Sequence, residues 1–300
     1  MEERHETEIS TNPGFELVTV LIPVLNAAGT LQMQLEALAS QTYRGPWEVV
    51  VVDNGSSDGS DEIALGWSDR LPSLRLVRAL DRKGCSYARN VGARAARGDF
   101  LAICDADDVV EPRWLEAMAE AGRTCDIVGG RLDRVTLNSP LARSWRPPPD
   151  DDSLPTLEYL PYAVGANCGV RTEVFRALGG WREDYAICGD DVDFSWRAQL
   201  ASYRLCYAPE AVIRYRFRED PRATARQFFN YGRVQPRLYR DYRERGMSRN
   251  PKRAFRDWFW LARHVGDLVG SLTRKGFWMR RAAYRWGRLL GSIRERVWYP

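Results

Sequence analysis

Three aspartates stand together in the segment Asp105-Ala106-Asp107-Asp108, directly after a run of apolar residues. Carboxylates this close repel one another, and burying them without a partner is costly. A hard divalent cation would remove the repulsion, because carboxylate, water and phosphate oxygens suit Mg²⁺ or Mn²⁺. The simpler alternative is a solvated acidic turn before the next helix. The DxD pattern alone leaves both interpretations open.

Histidine and cysteine chemistry is nearly excluded by composition. The chain has two histidines, His5 in a polar tail and His264 in a basic segment, so a catalytic triad or a histidine zinc site is disfavoured. Its six cysteines are scattered singly, with no CxxC pair. This spacing argues against structural zinc and against a disulfide framework, and it predicts reduced, mostly buried thiols. Catalysis would therefore rest on carboxylates, arginines or a cofactor.

Other polar groups stand at the ends of predicted elements. Asp53 ends a second apolar run, where a base or ribose could be held. The segment Ser86-Tyr87-Ala88-Arg89-Asn90 begins a predicted helix and offers a cation and backbone N–H groups to phosphate. Aspartates 190, 191 and 193 open another predicted helix, where the helix dipole favours acids.

Apolar runs alternate with amphipathic segments through the first half of the chain. The β-branched runs predict strands at 18–24, 47–53, 74–79 and 100–108. Between and after them, helical spacing predicts helices from Leu31, after a cap at Ser57 or Asp58, over 86–96, and over 112–121 with Pro112 at its start. This alternation predicts an α/β fold with a doubly wound, mainly parallel sheet, whose ligands lie beyond the carboxyl ends of the strands.

The pattern becomes irregular in the second half. Residues 143–161 are rich in proline and aspartate and predict a long surface loop. Helices are predicted at 172–178 and 189–201, and the segment 203–217 predicts two strands broken at Pro209. Everything beyond Pro221 is predicted to be helical.

Four blocks in this order carry a resemblance to a known family: IPVLNAAGTL, VVVDNGSSDGS, GCSYARNVGARAARGDFLAICDADD and GANCGV…GDDVDFSWR. Together they resemble the family 2 glycosyltransferases, which are inverting enzymes of the GT-A nucleotide-diphospho-sugar transferase fold. The resemblance covers roughly residues 17–217. It implies a nucleoside-diphosphate sugar donor, a hydroxyl acceptor on a sugar or lipid-linked glycan, and a Mn²⁺ or Mg²⁺ cofactor.

The resemblance also implies roles for single residues. The nucleotide-sugar site would comprise Pro23, Val24, Asp53, Arg89, Asp105, Ala106 and Asp107. The cation would be held by Asp107 and Asp105. The acceptor side would comprise Gly165, Ala166, Asn167 and Trp181. The catalytic pair would be Asp191 as the general base and Asp190 beside it. The chemistry agrees, since inverting transfer needs a base and a Lewis acid.

Two features near this site limit what the resemblance implies. Many relatives carry a histidine in the strand that matches 211–217, and this chain has Arg214 there as a candidate replacement charge. The missing histidine keeps a catalytically weak nucleotide-sugar-binding or scaffold protein as the alternative. A nucleotidyltransferase is disfavoured, because the chain has no glycine-rich, lysine-bearing triphosphate loop. Asp193 is interpreted as an exposed partner of Arg197, one helical turn away.

The C-terminal part of the chain differs sharply in charge. Residues 210–300 carry 23 basic and 8 acidic side chains, against 21 and 32 in residues 1–209. Within it, 253–270 and 277–298 predict helices with an apolar aromatic stripe, and the second has arginines 280, 281, 285, 288 and 296 on the opposite face. Such helices are typical of an anionic membrane interface. Packing on the catalytic domain or a partner subunit is the alternative, and nucleic acid is disfavoured.

Domain organisation and location follow from these patterns. We expect a polar tail at 1–15, a catalytic GT-A domain at 16–220 and a basic amphipathic helical region at 221–300. No run of 18 apolar residues is present, and the first residues are acidic rather than signal-like. The sequence therefore predicts a cytoplasmic protein that binds peripherally to the cytoplasmic face of the membrane and could form a homo-oligomer.

Overall fold

Four parallel strands form the first half of the sheet in the computed structural model, which describes residues 14–147 and 153–300. They are β1 (Val18–Val24), β2 (Trp47–Asp53), β3 (Arg75–Arg78) and β4 (Phe100–Cys104), in the spatial order β3-β2-β1-β4. Valine and isoleucine fill the buried middle of β1 and β2, as expected where helices cover both faces of a parallel sheet. The predicted parallel core is confirmed.

Three helices connect these strands: α1 (Leu31–Ala39), α2 (Ser60–Leu65) and α3 (Cys85–Ala95). The prediction that Ser57 or Asp58 caps α2 is wrong. The cap residue is Gly59, whose φ of 86° suits glycine, and Asp58 instead accepts hydrogen bonds from the backbone N–H and hydroxyl of Ser60.

The second half of the sheet is mixed in direction. Its elements are β5 (Val109–Val110), α4 (Trp114–Gly122), β6 (Ile127–Asp133), α5 (Pro140–Ser144), β7 (Asn167–Arg171), α6 (Thr172–Ala177), α7 (Asp190–Leu200) and β8 (Leu205–Arg214). The full order is β3-β2-β1-β4-β7-β6-β8-β5, with β7 antiparallel to both neighbours. Strand β7 therefore enters the sheet from the end opposite to β6, whereas the helical crossovers of the first half keep their strands parallel.

Strand β8 is continuous, so the predicted break at Pro209 is wrong. Ala208 pairs with Gly130 and Val212 with Arg131, which leaves the residues between them in an irregularity opposite the Gly130/Arg131 step. Proline has no N–H to donate, and a bulge is where a strand tolerates it. The strand thereby carries its polar end, Arg214, past the acidic segment.

The prediction of reduced cysteines is wrong for one pair. Cys125, just before β6, and Cys206, in β8, form a disulfide across 81 residues of sequence. They meet because β6 and β8 are neighbouring parallel strands, which no spacing rule reveals. The other four cysteines are free.

Three helices follow the sheet: α8 (Pro221–Tyr242), α9 (Pro251–Arg263) and α10 (Leu272–Glu295). Helices α8 and α10 pack closely at three glycines. A Cβ added at Gly232 would lie 2.1 Å from the backbone carbonyl oxygen of Tyr284. A Cβ added at Gly287 would lie 2.1 Å from the carbonyl oxygen of Phe229, and one at Gly291 would lie 2.5 Å from that of Arg233. The two helices therefore behave as one unit whose separation is fixed by backbone contact.

The predicted polar face of α10 is wrong in part, because two of its arginines are buried. Arg285 pairs with Asp257 of α9, and Arg288 lies 3.6 Å from Glu158 and stacks on Tyr299. The helical region therefore uses these arginines to attach α9 and the 153–162 segment to α10. A one-dimensional helical pattern could not distinguish solvent from an acidic neighbour.

Asp193 is likewise buried rather than exposed. Its carboxylate is 0% exposed and accepts hydrogen bonds from Arg197 at 2.8 Å, Arg182 at 3.3 Å and the Tyr242 hydroxyl at 2.7 Å. Tyr242 ends α8, so this carboxylate joins the helical region to α7. The interpretation of an exposed pair with Arg197 alone is wrong.

We expect Asp193→Asn to lower the free energy of unfolding by about 3 kcal/mol, because it leaves the arginine pair without its buried counter-charge. Asp61→Asn is the matched control, since Asp61 also lies in a first helical turn and pairs with an arginine, Arg78, but at the surface. This control should leave the free energy of unfolding nearly unchanged. Urea denaturation measures both, and equal losses would contradict the assigned role of Asp193.

Candidate active site

The carboxyl ends of β1, β2 and β4 meet at one edge of the sheet. Val24 pairs in register with Asp53, and Asp105 follows directly after β4, which pairs with β1. Pro23 and Val24 therefore lie beside Asp53, as the sequence predicts for a nucleotide pocket. This edge is the usual ligand site of an open α/β sheet.

Asp53 is held firmly at this edge. Its carboxylate accepts a hydrogen bond from the Ser56 N–H at 2.9 Å and lies 3.6 Å from Arg78, and the residue is almost fully buried. Lys83, which sequence reasoning did not single out, donates to the carbonyl oxygens of Asn54 and Gly55 at 2.8 and 3.0 Å. It thereby fixes the loop after β2 that would contact a base or ribose.

Carboxylate oxygens of Asp105, Asp107 and Asp108 lie within 4.8 Å of one another. Asp108, which was not among the predicted ligands, is buried; one oxygen accepts the Arg216 N–H at 2.7 Å and the other has no partner. An unpartnered buried oxygen beside two other carboxylates fits a hard divalent cation. Ala106 packs in the core, so it can offer only backbone groups.

Burial and the neighbouring charges shift the acidity of this cluster. Burial first, and then the charges of Asp105 and Asp107, raise the pKa of Asp108 to about 9. Burial also raises the pKa of Asp105, although the Arg89 charge opposes it. Without a cation, Asp105 and Asp108 therefore keep their protons to higher pH than ordinary aspartates do.

Gln34 of α1 positions the acidic segment. Its side chain is fully buried, donates to the Asp105 carbonyl at 3.1 Å and accepts the Val110 N–H at 3.0 Å. Sequence reasoning missed it, because a glutamine among leucines in an amphipathic helix indicates only a polar face.

Arg89 links the two acidic groups of the site. Its guanidinium is buried and lies 2.8 Å from Asp190 and 3.4 Å from Asp105. Burial raises the pKa of Asp190 to about 6, while Arg89 acts in the opposite direction. Gly165 makes this approach possible, because a Cβ there would lie 2.6 Å from the guanidinium. Arg89 is thus committed to two carboxylates as well as lying near the predicted phosphate site.

Asp191 lies at the start of α7 and remains partly accessible. One carboxylate oxygen accepts the Gly165 N–H at 3.0 Å, and the other accepts the Val192 N–H at 2.9 Å. The N-cap residue of the helix is Gly189, whose φ of 86° suits glycine. These bonds fix the carboxylate while leaving oxygen lone pairs that can accept a proton.

The predicted acceptor residues separate into two groups. Gly165 lies beside Asp191 and Arg89, whereas Ala166, Asn167 and Trp181 are buried. Asn167 is fully buried, and its amide bonds Trp114 and the carbonyls of Arg131 and Ala211. Trp181 stacks on Phe194 with ring centroids 4.8 Å apart. Asn167 and Trp181 are thus both buried and in contact with other parts of the protein, and their place on the acceptor side stays a prediction.

The charge of Asp191 acts on two tyrosines, Tyr162 and Tyr231. Burial first, and then the Asp191 charge, raise the pKa of Tyr162. Burial first, and then Cys188 and Asp191, raise the pKa of Tyr231 to about 12. Tyr231 of α8 accepts a hydrogen bond from Gln227 at 3.0 Å and also interacts with Tyr215. The aromatic segment 228–232 of α8, FFNYG, is the sequence signal that could have indicated Tyr231, but it lies outside the region that the resemblance covers.

Comparison with known sequences agrees with this geometry. Residues 19–179 match the sequence model of glycosyl transferase family 2, and residues 156–298 match that of glycosyl transferase family group 2. The chain is 33% identical over 204 residues to the glycosyltransferase AglE of Haloferax volcanii, covering 65% of each chain. It is 31% identical over 240 residues to a pre-mycofactocin glycosyltransferase of Mycobacterium tuberculosis, covering 75% of this chain and 48% of that one.

Solved structures show the same fold. The mannosyltransferase PcManGT from Pyrobaculum calidifontis, in complex with GDP-Man and Mn²⁺, superposes with a TM-score of 0.63 at 21% identity, covering 92% of this chain and 87% of that one. S. aureus TarS 1–349 in complex with UDP-GlcNAc superposes with a TM-score of 0.51 at 16% identity, covering 94% and 93%. The predicted GT-A fold is confirmed.

We expect Asp108→Asn to change how stability depends on pH in metal-free protein. The folded pKa of Asp108 lies above its unfolded value, so its stabilising effect is complete below about pH 4 and is lost as pH rises toward about 9. The asparagine keeps the shape and does not titrate. The free energy of unfolding of the variant, relative to wild type, should therefore rise by at least about 1 kcal/mol between about pH 5 and 8.

Urea denaturation in EDTA at a series of pH values measures this difference. Glu120→Gln is the control, because it removes an exposed carboxylate from α4. A constant difference between Asp108→Asn and wild type across the pH range would contradict the raised pKa.

Proposed function

The chain belongs to glycosyl transferase family 2, and from that premise we propose that it is an inverting, hexosyltransferase-type enzyme that moves a sugar from a nucleoside-diphosphate sugar to a hydroxyl acceptor. The observation that carries this proposal is the continuous chain Asp107–Asp105–Arg89–Asp190–Asp191. It joins a cation-binding cluster to an accessible carboxylate at the start of α7.

The donor would lie along the sheet edge, with its nucleoside near Pro23, Val24 and Asp53. Its diphosphate would face the acidic cluster, where Asp105, Asp107 and Asp108 fit Mn²⁺ or Mg²⁺. A bound cation supplies Lewis-acid stabilisation of the leaving diphosphate. The structural neighbours with GDP-Man or UDP-GlcNAc support a nucleotide-sugar donor for this chain as well.

Asp191 would serve as the general base. The acceptor oxygen attacks the anomeric carbon as the bond from that carbon to the diphosphate oxygen breaks. The hydroxyl proton passes to Asp191, and the nucleoside diphosphate leaves with the bonding electrons. Attack from the side opposite the leaving group inverts the configuration. Gly165 and Arg89, through Asp190, would hold the base in position, and Tyr162 and Tyr231 would form the acceptor wall.

The alternative remains a catalytically weak nucleotide-sugar-binding or scaffold protein of the same fold. The absence of histidine near the acidic cluster, within the described residues, is the observation that favours it. Incubation with UDP- and GDP-sugars, Mn²⁺ and candidate acceptors separates the two. A scaffold would bind donor without releasing nucleoside diphosphate.

The exposed face of α9 and the start of α10 supports a membrane location. Phe255 is 75% exposed and Val269 is 91% exposed, and Phe259, Val265 and Leu272 are also exposed. Six basic side chains and two acidic ones occur between residues 250 and 276. Apolar rings among cations complement an anionic lipid surface. None of the helices in the described residues is long and apolar enough to cross a bilayer.

We propose that this face docks on the anionic cytoplasmic surface of a membrane and that the acceptor is lipid-linked or membrane-proximal. A second copy of the chain is the competing occupant of the face.

We expect Asp191→Asn to reduce turnover by about 10²–10⁴-fold while donor affinity barely changes, because the amide keeps the shape but cannot accept a proton. Asp184→Asn is the control, since it removes one exposed negative charge from the segment leading into α7. Steady-state kinetics and nucleotide binding measure both variants. A similar loss in Asp184→Asn would indicate a general electrostatic effect and overturn the base assignment.

We expect the double substitution Phe255→Ser and Phe259→Ser to weaken binding to phosphatidylglycerol-containing vesicles at least about tenfold. Each substitution removes an aromatic ring whose apolar surface would be buried in the lipid. The matched control is Leu65→Ser with Leu200→Ser, two exposed leucines elsewhere. Vesicle co-sedimentation measures binding. Equal binding to neutral vesicles, or a wild-type dimer that the double variant dissociates, would contradict the membrane role.

A further inference from the structure

The residues that follow β8 lie against the acidic cluster and differ in how they contact it. Arg214, the predicted replacement for the missing histidine, lies 2.6 Å from Glu111 and is committed to that pair. Arg218 instead lies 3.1 Å from the Asp107 carboxylate. The arginine paired with Asp107 is therefore Arg218, whereas Arg214, the expected replacement charge, is paired with Glu111.

Comparison with Arg216, which also contacts the acidic segment, shows why the side chain of Arg218 is free to move. Arg216 is held at two points. Its backbone N–H donates to the Asp108 carboxylate, and its side-chain Nε donates to the Asp107 backbone carbonyl at 2.8 Å. Arg218 uses only its side chain toward Asp107, and that side chain is 55% exposed. Its carbonyl accepts the Thr224 hydroxyl at 3.0 Å, so the backbone is fixed while the guanidinium can turn.

A cation bound to Oδ2 of Asp107 would compete with the guanidinium for that oxygen. Mg²⁺ or Mn²⁺ binds a carboxylate oxygen at roughly 2.1 Å, which would set it against a guanidinium nitrogen that lies 3.1 Å from Oδ2. Like charges at this separation repel strongly where water is limited. A cation that binds Oδ2 is therefore favoured when Arg218 turns away from Asp107.

We propose that Arg218 is a resident counter-charge of the acidic cluster, which neutralises Asp107 in the empty enzyme and moves to the donor diphosphate when a divalent cation takes its place. This inference rests on the proposed function for the identity of the diphosphate. A diphosphate that pairs with Arg218 removes the competitor of the cation. Cation and nucleotide consequently bind with positive cooperativity, and the cation alone binds weakly.

Equilibrium Mn²⁺ binding, followed by electron paramagnetic resonance, tests the first half. Arg218→Gln should bind Mn²⁺ alone about 1.5–5-fold more tightly than wild type, the range expected from removing a partly exposed ion pair. Arg214→Gln is the matched control, from the same segment and also paired with a carboxylate, and it should leave Mn²⁺ affinity unchanged. Asp107→Ala should bind Mn²⁺ much more weakly than either. Unchanged or weaker Mn²⁺ binding by Arg218→Gln overturns the proposal.

Calorimetric titration with UDP and with GDP at saturating Mn²⁺ tests the second half. Arg218→Gln should bind the nucleoside diphosphate several-fold more weakly than wild type, and UDP or GDP should enhance its Mn²⁺ affinity less. If UDP or GDP enhances the Mn²⁺ affinity of Arg218→Gln as much as that of wild type, the proposal is overturned.

These readouts need no sugar transfer, so the two proposals fail separately. Normal transfer with unaltered Mn²⁺ binding in Arg218→Gln rejects the role of Arg218 alone. Altered Mn²⁺ binding in a wild type that transfers no sugar rejects the proposed function alone.

Discussion

Repulsion among carboxylates at one sheet edge is the constraint on which the site depends. Asp105, Asp107 and Asp108 follow β4, and Asp190 and Asp191 approach from α7. Buried negative charges at such distances are unstable without compensation. Arg89 supplies the compensating positive charge by contacting Asp105 and Asp190 at once. Gly165 leaves room for the guanidinium because it has no side chain. This buried cation thereby links the two acidic groups of the cleft.

The same device attaches the helical region. The Asp193 carboxylate accepts hydrogen bonds from Arg197, Arg182 and Tyr242. The carboxylates of Asp257 and Glu158 lie against the buried arginines of α10. The chain has 44 basic residues, and lysine is rare among them, so planar guanidinium groups make most of these contacts. Their several donors allow one arginine to satisfy two carboxylates, which a lysine point charge does less well.

The first half of the fold follows from the sequence because its signals are local. The apolar runs of β1, β2 and β4 are too short for helices, and the acidic segment after β4 could be placed at the sheet edge by topology alone. The antiparallel β7, the Cys125–Cys206 bridge and the burial of Asp193 were not predictable. Each depends on partners far away in sequence, and helical or strand periodicity carries no information about them. Arg218 shows the same limit, since its contact depends on how β8 passes the acidic segment.

The glycine contact between α8 and α10 has a consequence for how this molecule could diversify. The groups assigned to the donor lie mostly before residue 110, whereas Tyr231 belongs to a helix whose position is fixed by Gly232, Gly287 and Gly291. A methyl group at any of these glycines would displace the whole helix from its partner. Acceptor preference could therefore drift through changes in helix spacing remote from the cleft, while the inherited donor chemistry stays intact.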